Sequence, residues 1–438
     1  MRTLTVENFS VIKYAKLEFG KITVLIGPQS SGKSLLCKLA YFLSKQTIDL
    51  ALTAILRKDS YEDFKSALIR EFDGWFPTDT WIDGNSSVRF NSSNFGVQIS
   101  GFRGKDGIYL EVEFSKQFKS LFSGLTDLIR ELPNNGADSR KHILEQVEAM
   151  LNLLLTDTFV SRAVYIPGGR AFFANQSLGF SALKNTDLDP LIRDFSLEVR
   201  LGDSWTPNPI LGEKSLKDLD EIRQEMVNIA GGYIEGRNLS ARFRRASDGR
   251  SVPLTLLSSG TQEILPLLNV LGQVATGQRD RIIFPRPNNF PGMPNLIVLS
   301  KGLIYLEEPE ANVFPDTQYQ LVRLFARLSH ESFLDFSWVI TTHSPYILTA
   351  FNTLIEAWRV GNKEGKREQV AALIAEKYWV SENDFAAYSI RDGLLAPIFS
   401  KEEEGKEGSG LIDGDFLDSV SDQLGGEFDK LLDIEYAN

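Results

Sequence analysis

Residues 21–43 read KITVLIGPQSSGKSLLCKLAYFL. Ile22 to Ile26 (ITVLI) are a short apolar run closed by a glycine, the pattern of a buried strand. Gly27 to Ser34 then match G-x-x-x-x-G-K-S, and an apolar helix pattern follows. Strand, loop and helix in that order are the setting in which this motif binds a phosphate chain. Gly27 and Gly32 let the backbone curl until its N–H groups converge on phosphate oxygens. The helix N-terminus adds partial positive charge. Lys33 is expected to reach the β- and γ-phosphates, and the Ser34 hydroxyl to ligate Mg²⁺. The expected cradle for ATP is therefore Gly27, Pro28, Gln29, Ser30, Ser31, Gly32, Lys33, Ser34 and Leu35.

A phosphate loop needs a second strand that carries acid to the magnesium and to a water. Residues 302–315 read GLIYLEEPEANVFP, a buried-strand pattern that runs into two adjacent carboxylates and a proline. Buried acids are costly unless a cation or hydrogen bonds compensate. Glu307 is expected on the magnesium, and Glu308 as the base that polarises the attacking water.

Two further segments carry the same chemistry. In WVITTHSPYIL (338–348) an apolar strand ends in Thr341, Thr342 and His343, and Ser344-Pro345 opens a helix. A histidine at the C-terminal end of a strand in an open α/β sheet lies where ligands bind, so His343 is a candidate contact for the γ-phosphate and water. In LTLLSSGTQEILPLL (254–268), Ser258 and Ser259 cap a helix, Gly260 keeps its entry open, and Glu263 is placed to complete a capping arrangement. A second anion-binding helix end is most simply used in trans, on a γ-phosphate held by another copy of the chain.

These four pieces, in this order, resemble the head of the ABC-type ATPases. GPQSSGKS is similar to Walker A, LSSGTQE to the signature loop, LIYLEEPEANVFP to Walker B with the D-loop, and TTHSPYI to the switch histidine. The usual Walker B aspartate is Glu307 here, and the signature reads SSGTQ. Both variants resemble the overcoming-lysogenization-defect-like, AAA-labelled prokaryotic ATPases. VYIPGGRA (164–171) with the EEPEA and THSPYILTAFN segments resembles the standalone ATPases of anti-phage systems, of the PARIS and Septu kinds. The resemblance implies an ATP-hydrolysing, Mg²⁺-dependent α/β P-loop NTPase of ABC type that closes as a homodimer or higher homo-oligomer. It also implies a separately encoded effector, in some systems a nuclease. A DNA-repair or chromosome-maintenance clamp is the alternative. No Q-loop glutamine is assigned; Gln98 and Gln176 are unsupported.

Composition narrows the classes. The chain has 438 residues, one cysteine and three histidines, which excludes an internal disulfide and disfavours a Cys/His zinc site. Its net charge of −11 is 47 basic against 58 acidic residues. Residues 401–438 hold three Lys and twelve Asp or Glu, so −9 belongs to the tail and −2 to the rest. DNA binding is possible but not indicated by a near-neutral body. No apolar run reaches the roughly 20 residues of a membrane span, and the N-terminus lacks a signal-peptide core; no membrane partner and a cytoplasmic location are expected.

The expected organisation has four parts. An N-terminal ATPase lobe spans 1–115, with SVRF, FGVQIS and IYLEVEF as an antiparallel β subdomain. A helical insertion spans 116–250, too short and too poorly heptad-patterned for coiled-coil arms. A C-terminal ATPase lobe spans 251–400, with a Pro/Asn-rich loop over 280–300. An acidic linker and an amphipathic helical tail span 401–438 and are expected to dock on the ATPase or a partner. Arg170 reads either as a cation near the phosphates or between lobes, or as a surface salt bridge. The ARFRRASDGR run (241–250) reads as a solvated strand face or a phosphate-backbone patch. Cys37 and Phe42 are expected core.

Overall fold

The computed structural model describes residues 2–78, 81, 85–105, 107–131, 162–175, 189–199, 213–236, 241–276, 283–284, 296–297, 301–330, 335–399, 410–412, 426–427 and 429–430. Gln176, most of the 280–300 loop and most of the tail expected to be helical around Phe416 to Leu432 lie outside the described residues, as do residues 132–161 of the expected insertion; residues 426–427 and 429–430 of that tail are helical.

The strands are β1 (Thr3–Phe9), β2 (Ile12–Glu18), β3 (Ile22–Ile26), β4 (Ser86–Asn91), β5 (Gly96–Gly104), β6 (Gly107–Phe114), β7 (Arg162–Ile166), β8 (Gly232–Glu235), β9 (Arg242–Arg245), β10 (Ser251–Pro253), β11 (Ile283–Phe284), β12 (Leu296–Ile297), β13 (Lys301–Glu307), β14 (Asp335–Thr342), β15 (Phe385–Arg391) and β16 (Leu394–Pro397). Eleven of them form one sheet in the order β6-β5-β4-β1-β2-β16-β15-β3-β14-β13-β7. The β15-β3-β14-β13-β7 half is parallel. The β6-β5-β4-β1-β2 half is antiparallel, as the alternating segments predict. The fold is the expected mixed α/β P-loop architecture with an antiparallel wing. One expectation is corrected: residues 116–250 are not simply a helical insertion, because β7 closes the edge of the main sheet against β13, and β8 and β9 form a small sheet with β10, which lies just beyond that span.

The parallel half is buried on both faces, which is why its strands read as apolar runs. Alternate residues of β13 point to opposite sides. Leu303 and Tyr305 join Leu36, Tyr41 and Tyr165 in one core, while Ile304 and Leu306 join Trp338, Ile340 and Leu267 in the other. Each fully buried Leu or Ile side chain contributes about 1.5–3 kcal/mol. The helix after the phosphate loop runs from Lys33 through a π turn at Phe42–Gln46 and on to Arg57. Among the described residues it is the one helix long and apolar enough to cross a bilayer, and most of it is buried. Cys37 and Phe42 are fully enclosed, as expected of core residues.

Register decides the function of this sheet. Ile26 pairs with Thr342, Thr341 with Glu307 and Leu306 with Ile166. The C-terminal ends of β3, β14, β13 and β7 therefore come level at one edge. The segments that follow them are the phosphate loop, His343, the paired acids and the Pro167–Arg170 turn.

Candidate nucleotide site

The phosphate loop has the backbone its glycines require. Gly32 sits at φ 106, a region that strains residues with a side chain. A Cβ on Gly27 would lie 2.4 Å from the carbonyl oxygen of Ile390 in β15, so the loop is roofed by a late strand. Lys33 is buried, and its Nζ donates to the carbonyls of Gly27 at 2.9 Å and Pro28 at 2.8 Å. The ammonium thus spans the mouth of its own loop. Burial lowers its pKa, and Glu308, Glu310 and Glu307 nearby oppose that shift. Pro28, Gln29, Ser30 and Ser34 are exposed, and Leu35 is half-buried.

The acid turn is held by bonds that the sequence does not announce. Glu307 is almost enclosed; Tyr165 Oη donates to its Oε1 at 2.6 Å and the Gly168 N–H to its Oε2 at 3.1 Å. Burial, with Cys37 and Glu307 adding to it, pushes the Tyr165 hydroxyl well up, which keeps it a neutral donor. Glu308 takes φ 43, in the left-handed region that costs a non-glycine residue about 1 kcal/mol or more. Its N–H donates to Thr341 O at 2.9 Å. Its carboxylate is 43% exposed, and Oε1 lies 3.3 Å from His343 Nε2. The position a Cβ would take on Gly168 is 4.0 Å from Oε2 of both Glu307 and Glu308, so the two acids flank one small space.

Glu310 organises the histidine. Its Oε1 accepts from Thr342 Oγ1 at 2.8 Å and from the His343 N–H at 2.6 Å. Ser344 then caps the helix Pro345–Gly361, its Oγ accepting from the Tyr346 N–H at 3.2 Å. The expected acid, histidine and phosphate-loop residues therefore share one edge. Glu310 and Tyr165 were missed because their partners lie 33 and 142 residues away in sequence, beyond any local pattern.

Ser258, Ser259 and Gly260 lie at the start of the helix Ser259–Thr276. The Thr261 N–H donates to Ser258 Oγ at 3.3 Å, so Ser258 is the cap. Glu263 does not complete it, contrary to expectation. It is buried, facing Arg170 Nε at 3.7 Å, because the helix turns that position inward. Ser258 and Ser259 face outward beside Leu256, which is 74% exposed. A Cβ on Gly260 would lie 2.6 Å from Asn312 O, which sets this helix end against the loop after the acids. Arg170, read in the sequence as either functional or a surface pair, is fully buried. The arginines of 241–250 are engaged: Arg242 with Ser251, Arg244 with Glu235, and Arg245 and Arg250 with Asp248.

The residues present fit a nucleotide with a divalent cation. Ser31 Oγ, Glu310 Oε2 and Thr341 Oγ1 are buried polar atoms with no hydrogen-bond partner, and buried polar groups seek one. Each oxygen of Glu307 has accepted one bond and retains a lone pair. Among the described residues no group of three or more His, Cys, Asp or Glu is arranged to hold a metal. Ser34 and Glu307 would then hold the ion with phosphate oxygens and water, the manner of Mg²⁺. When bound, the ion would neutralise charge on the phosphoryl oxygens.

The family described as "AAA domain, putative AbiEii toxin, Type IV TA system" matches residues 22–349. The chain belongs to that family. The AAA-domain match runs from the start of β3 into the helix after His343, so it takes in all four segments of the site. It leaves out the β15–β16 hairpin that roofs the phosphate loop. No curated protein sequence matches the chain. Among solved structures, an SMC head bound to the C-winged helix domain of ScpA is 12% identical, with 90% of this chain and 96% of that one covered and a TM-score of 0.40. The SMC head domain from Thermotoga maritima is 13% identical, with 91% and 98% covered and a TM-score of 0.36. An ATP-binding cassette of an ABC transporter in its ADP conformation is 12% identical, with 90% of each chain covered and a TM-score of 0.31. None of these likenesses is close enough to assign a function.

Proposed function

We propose that this AAA-domain chain binds and hydrolyses ATP with Mg²⁺, and that ATP closes two copies around two shared nucleotides. The observation that carries the reading is the Glu308–His343 pair, 3.3 Å apart, on strand ends level with the phosphate loop. In this reading Lys33 and the 27–34 backbone hold the phosphates, while Ser34 and Glu307 hold the cation. Glu308 takes the proton of the attacking water, and His343 orients that carboxylate and the terminal phosphate. The serine-capped helix end of a second copy completes the site from outside, in the self-complementary manner of a two-fold pair.

The switch is read as controlling a separately encoded effector in anti-phage defence, in the cytoplasm. The resemblance to standalone defence ATPases supports this, as does the family description, which names a toxin and a type IV toxin–antitoxin system. The clamp alternative calls for cations on a DNA-facing surface; in the 241–250 run Glu235 and Asp248 balance two of the four arginine charges, and Arg242 bonds to Ser251. Salt-dependent DNA binding by the isolated chain would favour the clamp.

Glu308→Gln tests the chemistry. It removes the base while leaving the phosphate contacts in place. MgATP binding is expected to persist, turnover to fall at least a hundredfold, and a closed dimer to accumulate in sedimentation runs. Turnover at the normal rate in this variant would break the assignment of Glu308.

A further inference from the structure

Arg170 donates four hydrogen bonds to backbone carbonyls, three at the sheet edge that carries the acids and one in the Ser259–Thr276 helix. It is completely buried. Its Nη1 donates to Pro167 O at 3.0 Å and to Glu307 O at 2.6 Å. Its Nη2 donates to Glu308 O at 3.0 Å, and its Nε to Glu263 O at 3.3 Å. The Glu263 carboxylate supplies the counter-charge at 3.7 Å and is itself buried. Such a group is costly to bury, and burial draws its pKa down. The chain keeps it where a planar fork is needed to grip several acceptors at once.

The two ends of this grip are functionally different. One end is the peptide of Glu307 and Glu308, where Glu308 holds φ 43. The other end is Glu263, one turn into the helix whose capped end carries Ser258 and Gly260. We infer that Arg170 is a positioning residue. It fixes the backbone from which Glu308 reaches the water, and it ties that backbone to the seating of the Ser258 helix. Engagement of that helix by a second copy's nucleotide would then be felt at Glu308 through one rigid side chain. The contact of Gly260 with Asn312 O gives the helix a second hold on the same loop. This inference rests on the ATP-hydrolysis reading above.

The test uses the full chain with MgATP. Arg170→Lys keeps the charge and loses the fork. Its kcat is expected to fall about tenfold or more, with KM and nucleotide affinity within about threefold, because misplacement of a reacting group lowers kcat without removing phosphate contacts. A purely structural role would lower the melting temperature and leave kcat per folded molecule unchanged, and that result overturns the inference. Should Arg170→Lys fail to fold, Glu263→Gln carries the test. It keeps every carbonyl but removes the counter-charge, and a kcat loss of about threefold at constant KM is expected. Wild-type kcat in that variant, folded, overturns the inference. If instead the wild-type chain neither binds nor turns over ATP, the failure is that of the ATPase reading, and Lys33→Ala will show no change in nucleotide binding.

Discussion

The phosphate loop and the Ser258 helix end use the same device, a helix N-terminus with glycine and serine, in opposite surroundings. The loop is finished within one chain. Lys33 is buried on two carbonyls, Ile390 closes over Gly27, and the paired acids lie two strands away in the sheet order. The Ser258 end is open. Its two serines face outward, with Leu256 beside them and Phe314, 77% exposed, in the neighbouring loop. In the proposed pair, these two exposed apolar side chains would lie at the junction of the two copies. In the proposed reading, the difference separates what one copy would do alone, holding nucleotide, from what the pair would do together.

The largest effect should come from the finished side. Lys33→Ala removes the only cation among residues 27–35 and leaves the Gly27 and Pro28 carbonyls without their donor. Loss of a charge-assisted phosphate contact of this kind costs about 3 kcal/mol or more, roughly a hundredfold in affinity. Equilibrium binding of labelled ATP reads it directly. Binding that survives within a few-fold would mean that the loop is not the phosphate site, and the contrast between the two helix ends would collapse.

Ser258→Arg sharpens the same contrast from the open side. Loss of the cap costs about 1 kcal/mol of helix stability, small enough to leave the fold intact. A long cation at an outward helix end should block the approach of a second copy. ATP-driven association, followed by sedimentation in the Glu308→Gln background, is expected to weaken about tenfold or more, with monomer affinity for ATP unchanged. Loss of ATP binding by the monomer would place this helix end on the chain's own nucleotide.

How much of this was legible beforehand follows from the range of the interactions. The phosphate loop, the acid pair, His343 and the Ser258 cap are each written in fewer than fifteen consecutive residues, where glycine, proline and apolar spacing speak directly. Tyr165, Glu310 and Arg170 act on residues that the sheet brings together from far along the chain, so local pattern cannot pair them. The misreading of Glu263 has a local part and a distant one: it lies five residues after Ser258, beyond the three-residue spacing of a capping box, and in the fold it faces Arg170 across the interior. The β15–β16 hairpin is a different case. Asp392 and Gly393 take φ 51 and 79, and an Asp-Gly pair between apolar alternations is a strong hairpin signal. Its role as the roof of the phosphate loop, however, is set by a strand crossover that no local signal carries.

The smallest effect belongs to a group outside both helix ends, on the far flank of the phosphate-loop helix. Asp194, in the helix Pro190–Glu198, accepts from Gln46 Nε2 at 2.8 Å. Burial pushes its pKa up to about 6, and the nearby Asp49 and Glu71 add to the shift. A carboxyl raised in the folded state favours folding while it is protonated. Its contribution is fully present below the unfolded pKa near 4 and is lost as pH rises through about 6. Above that the native state holds an unwelcome charge, whose cost at 27% exposure is about 1–2 kcal/mol. Asp194→Asn keeps an acceptor for Gln46 and removes the charge. It should be more stable than the parent at pH 8 by that amount, with the two unfolding curves merging near pH 4 and ATP turnover unaltered. Identical urea midpoints at pH 8 would show that Asp194 is charged and comfortable there. A change in turnover would show that the phosphate-loop helix transmits strain from its distal side, and the loop would no longer count as finished by its immediate neighbours.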